Sequence, residues 1–339
     1  MKKLLLASSI LLLSSICSFS QKKEIKEAHR ASKGLYPWFQ ISNTGKTAHT
    51  YSKSRKNTLI YLTDFKKSSI ENFARGSISH YPIISSNDSL IVFVEKGLFK
   101  TYNIQSKEIK TISEKKKVED SYDLAAEWFS EDTLIFKKGL KVVEEINGLE
   151  KKLGYAPGFL MPVAVSNNGH YLVLEKTLSN ADKPTKQFVY DRWNHTYNIF
   201  SIKKSYGHID VANNGSVIFQ EETTTETTMY HQDIEGNEEA LFQTDKGHLL
   251  CPRISSDDKY AIFMVMKANF NKNLYIIDLT TKKIKQIGHG QTTGKADITP
   301  DGKHIAYSIR TTLGASKSVY MDNPFIEKRA HIKRKIAKF

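Results

Sequence analysis

The chain has 339 residues, 50 Lys and Arg against 36 Asp and Glu for a formal net charge of +14, and only 2 cysteines. Two thiols exclude a disulfide scaffold and a four-ligand zinc site, and 40% hydrophobic with 25% charged residues excludes a disordered or membrane-embedded chain. The length fits one large repeat-built domain or two smaller ones, and the basic balance permits an anionic partner without saying which.

At the N-terminus, Lys2 and Lys3 precede an apolar run from Leu4 to Cys17 and a small-residue site at Ser18-Phe19-Ser20. This reads as a secretory signal peptide over residues 1–20, cleaved before Gln21. A transmembrane anchor is the competing reading, but the run is shorter than a span requires. A lipid anchor on Cys17 is disfavoured because Ile16 stands where a small residue is needed. Cleavage would remove two lysines, leaving +12 from +14, and would leave Cys251 as a lone, buried apolar residue. Export also assigns the positive charge to envelope partners or anionic surfaces, since an exported protein rarely meets nucleic acid. Residues 21–34 read as a polar lead.

From there to residue 325 one phrase recurs: a small or hydroxyl residue, a polar turn closing on Gly or Asp, then a β-rich apolar run. Its copies are Ile41-Ser42-Asn43-Thr44-Gly45, Ile84-Ser85-Ser86-Asn87-Asp88, Phe129-Ser130-Glu131-Asp132, Val165-Ser166-Asn167-Asn168-Gly169, Val211-Ala212-Asn213-Asn214-Gly215, Ile254-Ser255-Ser256-Asp257-Asp258 and Ile298-Thr299-Pro300-Asp301-Gly302. The closing residues stand 43, 44, 37, 46, 43 and 44 apart. In the sixth copy the turn is followed by Tyr260 to Val265, Leu274 to Leu279 and Ile284 to Ile287, which with the strand entering the turn gives four β-runs. Four-stranded units of this length predict propeller blades. The expected fold is therefore all-β, a propeller of about seven four-stranded blades over residues 35–325, or six if the last copy closes the ring with the run around Trp38. Asn, Asp and Gly suit left-handed turn positions, so Asp257, Asp258 and Asp301 are read as turn residues and not as catalytic carboxylates.

The phrases Ile254-Ser-Ser-Asp-Asp-Lys-Tyr-Ala-Ile-Phe and Ile298-Thr-Pro-Asp-Gly-Lys-His-Ile-Ala-Tyr closely resemble the repeats of TolB-like, WD40-like β-propellers. Residues from Trp38 to Thr111 also look like the start of the noncatalytic propeller in large exported relatives of prolyl oligopeptidase. That second resemblance is carried by Ile41-Ser-Asn-Thr-Gly-Lys, Thr58-Leu-Ile-Tyr, Phe73-Ala-Arg-Gly and Tyr102-Asn-Ile-Gln-Ser-Lys-Glu-Ile-Lys-Thr. The peptidases would need a Gly-x-Ser-x-Gly elbow in a following domain. This chain contains none, and about fifteen residues follow the seventh unit. Phosphate-loop, His-Glu-x-x-His and Cys-x-x-Cys motifs are absent too.

Histidines recur just before a unit's first strand: His80, His208, His248 and His289, the last three directly after glycines. Such segments gather on one face of a propeller, where imidazoles bind a metal or acidic ligand, or else hydrogen-bond their own blade. Trp193, at the turn between two β-runs, is the aromatic residue with the least automatic core role. The tail over residues 326–339 carries Lys328, Arg329, Lys333, Arg334, Lys335 and Lys338, with Ile332, Ile336 and Phe339 at helical spacing. It reads either as an amphipathic element for an anionic surface or as a solvated end.

The expectation is a monomeric, non-enzymatic exported module, periplasmic or extracellular, that binds an envelope protein or peptide, with no cofactor and no metal. The alternatives are the propeller of a split peptidase and a propeller enzyme with a His-lined metal site resembling polysaccharide lyases.

Overall fold

The computed structural model describes residues 23–26, 40–54, 57–76, 82–112, 124–130, 133–138, 141–146, 149–153, 159–177, 186–200, 209–223, 225–245, 247–289, 292–310 and 316–326. The expected leader with Cys17, His80, His208 and the basic residues of the tail lie outside them. Every regular element among the described residues is a strand, and the strands form seven antiparallel sheets.

The first sheet is β2 (Lys46–Ser54), β3 (Asn57–Asp64) and β4 (Ser69–Gly76). The second is β5 (Ile83–Ile84), β6 (Leu90–Glu95), β7 (Leu98–Asn103) and β8 (Ile109–Thr111). The third is β9 (Leu124–Phe129), β10 (Thr133–Lys138), β11 (Lys141–Ile146) and β12 (Leu149–Leu153). The fourth is β13 (Phe159–Val165), β14 (Tyr171–Thr177), β15 (Lys186–Asp191) and β16 (Thr196–Phe200). The fifth is β17 (Ile209–Val211), β18 (Val217–Glu222), β19 (Thr227–Gln232) and β20 (Glu238–Thr244). The sixth is β21 (Gly247–Ile254), β22 (Tyr260–Lys267), β23 (Lys272–Asp278) and β24 (Ile284–Gly288). The seventh is β25 (Thr292–Ile298), β26 (His304–Arg310) and β27 (Ser316–Asp322), completed on its outer side by β1 (Lys23–Lys26). The segment expected as a polar lead thus supplies a strand to the last sheet. The strand expected to lead into the first turn falls before Gln40, outside the described residues.

Four of the repeat turns are built the same way. Ser255 Oγ donates to Asp257 Oδ1 at 2.7 Å and accepts the Tyr260 amide at 3.0 Å, which starts the next strand. Ser85, Ser166 and Thr299 repeat both bonds. The closing residues Gly45, Asp88, Gly169, Gly215, Asp258 and Gly302 all have positive φ, between 57° and 87°. Asp257, Asp258 and Asp301 are therefore turn builders, as the repeat implies.

In most units, though not in the polar β2 of the first, the second strand is apolar on both faces because it is sandwiched. In β22, Ala261, Phe263 and Val265 pack toward the fifth sheet, and Ile262 and Met264 pack toward the seventh. That explains runs such as Ala261-Ile262-Phe263-Met264-Val265 in place of strict alternation. Seven apolar clusters lie between successive sheets, the last joining the seventh to the first through Ile41, Phe65, Ala306 and Tyr320.

Hydrogen bonds pass from turn to turn in the same circuit. Thr44 N–H donates to Asp88 Oδ2 at 3.0 Å, Ser86 N–H to Phe129 O at 3.1 Å, and Trp128 Nε1–H to Asn167 O at 2.9 Å. Asn168 N–H donates to Asn213 Oδ1 at 2.9 Å, Asn213 N–H to Ser256 O at 3.1 Å, and Ser256 N–H to Pro300 O at 2.8 Å. Asp301 N–H then returns to Asn43 Oδ1 of the first turn at 2.9 Å.

Candidate functional site

Antiparallel order gives every sheet two unlike ends. The repeat turns share one end with the turns that follow each third strand, here called the turn end. The opposite end carries the turns after each second strand and the connections into the next sheet. His248 is the second residue of β21 and His289 follows β24, so both lie at the connection end. Each is exposed and has its own neighbour: His248 Nδ1 stands 2.8 Å from Glu222 Oε1, and Gln286 Nε2 donates to His289 Nδ1 at 2.8 Å. Among the described residues no three His, Cys, Asp or Glu side chains converge as a metal cluster.

Trp193 lies at the other end, in the turn between β15 and β16, and does not share a site with these histidines. Its turn is built on Asp191, whose Oδ1 accepts the amides of Trp193 and Asn194 at 3.0 and 2.9 Å and whose Oδ2 accepts Asn194 Nδ2 at 2.9 Å. Burial pushes the Asp191 carboxyl up, but hydrogen bonds from Asn194 and His170 outweigh it and hold its pKa below the ordinary value. His170 Nε2 stands 2.9 Å from Asp191 Oδ1. The His170 ring is stacked between Tyr171 at 4.0 Å and Trp193 at 3.7 Å. The indole is thereby fixed while remaining 61% exposed.

The neighbouring third sheet reaches the same place. Arg192 Nε stands 3.3 Å from Glu144 Oε1 of β11, both nearly buried, with the guanidinium 5.4 Å above the Trp128 ring. Two residues further along β11, Ile146 and its register partner Leu149 of β12 are exposed, Leu149 at 77%. Seven large apolar side chains are exposed among the described residues. Six of them, Ile109, Ile146, Leu149, Trp193, Ile284 and Ile326, flank turns after a third strand; Phe270 alone sits at the connection end.

A charged group lies inside the same end. Two positions before the repeat turn, β17, β21 and β25 carry Asp210, Arg253 and Asp297 in succession. Asp210 Oδ2 accepts the Ile254 amide at 2.9 Å and Asp297 Oδ2 accepts the Ile41 amide at 2.7 Å. Arg253 stands between, 3.7 Å from Asp210 Oδ1 and 3.8 Å from Asp297 Oδ1. Burial, partly offset by Arg253, raises the pKa of both carboxyls, that of Asp297 to about 7. Sequence reasoning missed this group and His170, although the fixed offset of Asp210, Arg253 and Asp297 from the turn was a usable signal.

No family model matches the chain, and no curated protein matches it. Solved structures do. The oligogalacturonate lyase of Vibrio parahaemolyticus superposes with a TM-score of 0.58 at 11% identity, covering 85% of this chain and 89% of that one. The β-propeller domain of the trilobed protease of Pyrococcus furiosus gives 0.55 at 14% identity, covering 74% and 83%. TolB of Acinetobacter baumannii gives 0.48 at 11% identity, covering 82% and 79%. At such identities the likeness to the lyase and to the protease domain concerns fold, and it shows that the chain is a β-propeller.

Proposed function

We propose that this chain is a seven-bladed, exported binding module that holds a protein or peptide partner of the cell envelope on its turn end. The observation that carries this reading is Trp193, an indole immobilised on His170 yet largely exposed, at the same end as the exposed Ile146 and Leu149 of the adjacent sheet, to which Arg192 is joined through Glu144. A partner engaging this patch meets a side chain whose ordering entropy is already spent, and buried Trp contacts dominate many interfaces. The circuit of turn-to-turn hydrogen bonds supports the count of seven blades, and the run from Leu4 to Cys17 supports export.

A photoreactive residue placed at Trp193 in cells of the source organism tests it. The reading predicts one dominant cross-linked envelope protein, whose capture is lost when Leu149→Ser is introduced; cross-linking only to abundant bystanders, unchanged by Leu149→Ser, overturns it. Export is tested by the mass of the protein recovered outside the cytoplasm, which should lack residues 1–20.

The propeller portion of a peptidase is the second reading, favoured by the superposition on the trilobed protease domain and by the phrases between Trp38 and Thr111. It requires a hydrolase domain encoded alongside this one, and an unrelated neighbouring gene would exclude it.

A further inference from the structure

The outer strand of the seventh sheet differs from the outer strands of the second to sixth sheets. Each of those follows its neighbour in the chain, as β24 follows β23 and β20 follows β19, so a short turn returns it whenever it detaches. β1 comes from the opposite end of the chain. It pairs antiparallel to β27 in the register Lys23 with Tyr320, Glu24 with Val319, Ile25 with Ser318 and Lys26 with Lys317. No turn joins the two, and the next strand after β1 belongs to the first sheet. Its sequence, Lys-Glu-Ile-Lys, has one apolar residue in 4, so the pairing rests mainly on the backbone ladder. β27 runs from Ser316 to Asp322, and the register with β1 spans Lys317 to Tyr320.

A sheet edge covered this lightly is a template for another extended chain, because its N–H and C=O groups accept any backbone that supplies the complementary row. We propose that the outer edge of β27 is a strand-acceptor site: β1 occupies it in the free protein, and an extended segment of a protein partner replaces β1 on binding. The partner segment is antiparallel to β27, at least as long as β1, and free of proline at the ladder positions. Its affinity depends on competition with β1, whose effective concentration is set by the tether to β2 and not by a hairpin. Displacement leaves β25, β26 and β27 paired with one another, so the ring persists while its last sheet changes outer strand. The inference rests on the binding-module reading in expecting a protein partner, but it uses a surface separate from Trp193.

The probe is a fluorescent peptide of residues Lys22 to Glu27, titrated against the full chain. Wild type should bind it weakly and saturably. Ile25→Pro, which disfavours β1 as a paired strand, should bind it about tenfold more tightly. A chain with Ile25→Cys and Ser318→Cys in a Cys17→Ser, Cys251→Ser background should bind none when oxidised and regain binding when reduced. Equal binding by the oxidised and reduced forms, or no binding by the reduced form and by folded Ile25→Pro, overturns the proposal. If Ile25→Pro does not fold, the oxidised and reduced comparison decides alone. Trp193→Ala should leave peptide binding unchanged, so failure here leaves the Trp193 reading standing, and failure there leaves this one.

Discussion

The Asp297 carboxylate accepts the amide of Ile41 at 2.7 Å, tying the last inner strand to the first repeat turn across the seam of the ring. The same relation recurs from Asp210 to Ile254 at 2.9 Å and from Gln40 to Ile84 at 3.3 Å. A side chain two positions before one turn thus satisfies a backbone donor entering the next. At the sixth and seventh sheets the device uses two buried carboxylates, and Arg253 between them offsets their charge.

This arrangement predicts a pH dependence. Burial raises the pKa of Asp297 from 3.8 to about 7, so the folded chain holds its proton more tightly than the unfolded chain does. The contribution to stability is complete below the unfolded pKa and is lost as pH rises through the folded one. Asp297→Asn removes the titration while keeping an acceptor for Ile41. Between about pH 4 and about pH 8, wild type should lose stability relative to the variant, by at most about 4 kcal/mol. Urea midpoints of both proteins at the two pH values check this, and a difference independent of pH refutes it.

The repeat turn should depend on its hydroxyl. Ser255 is fully buried, and its Oγ serves both Asp257 and the Tyr260 amide. Ser255→Ala leaves that amide without its side-chain acceptor and should cost about 1–3 kcal/mol. Ser255→Thr should be tolerated, since Thr299 fills the same role in the seventh unit. Thermal melts of the two variants provide the comparison, and equal losses would refute the assignment.

These turns were legible in the sequence because their chemistry is local. Ser, Asp and Gly within five residues fix the hydrogen bonds and the left-handed closing position, so spacing alone revealed the repeat and the all-β fold. The role of Lys23–Lys26 was not legible, because a polar tetrapeptide shows no strand periodicity and its partner Tyr320 lies at the other end of the chain. The exposure of Trp193 could be anticipated from its place at a turn, where a core role is least automatic, yet its support could not be read. The stack on His170 depends on two turns of one sheet meeting at its end. For His248 and His289 too, a common place in the repeat sets the end of the sheet, while neighbours such as Glu222 and Gln286 decide what each ring does.

Glycine at the fourth turn should be irreplaceable in a way that a glycine elsewhere is not. Gly169 has φ +70°, and a Cβ there would lie 2.5 Å from the Trp128 ring. Trp128 is itself held by its bond to Asn167 O, so the ring cannot yield without breaking the link between the third and fourth turns. Gly236 has φ +92° but its Cβ would meet nothing closer than 3.7 Å. Gly236→Ala should cost about 1 kcal/mol from backbone strain alone, and Gly169→Ala distinctly more. Tryptophan emission should shift only for Gly169→Ala; equal melting temperatures for the two variants would contradict the packing argument.

Trp193→Ala should separate binding from stability. The indole is mostly exposed and lies over His170, which keeps Asp191 and Tyr171 as neighbours after truncation. The melting temperature should move little, with a cost of about 0.5–1 kcal/mol for the lost stack, while partner capture should fall by a factor of ten or more, as for a central interface anchor. A variant that binds its partner as wild type does would remove Trp193 from the interface.

The seam should be the first interface to open. Between the sixth and seventh sheets the buried apolar cluster includes Ile262, Met264, Leu274, Ile276, Ile305, Tyr307, Val319 and Met321. Between the seventh and first, the cluster among the described residues is Ile41, Phe65, Ala306 and Tyr320, with Ile70 packed against it. The Tyr320 hydroxyl at this seam is buried with no hydrogen-bond partner among the described residues, as is Thr47 Oγ1 in β2. A smaller cluster among the described residues and a buried unpaired hydroxyl both lower the free energy of local opening. Native-state hydrogen exchange should therefore release the amides of β2, β3 and β27 at lower denaturant than those of β22 and β23. Phe65→Ala removes the ring stacked 5.2 Å from Tyr320 and should bring that early phase forward while leaving β22 and β23 unchanged until global unfolding. Exchange of all five strands in one cooperative step, in wild type and in Phe65→Ala, would show that the ring opens as a unit and not at its seam.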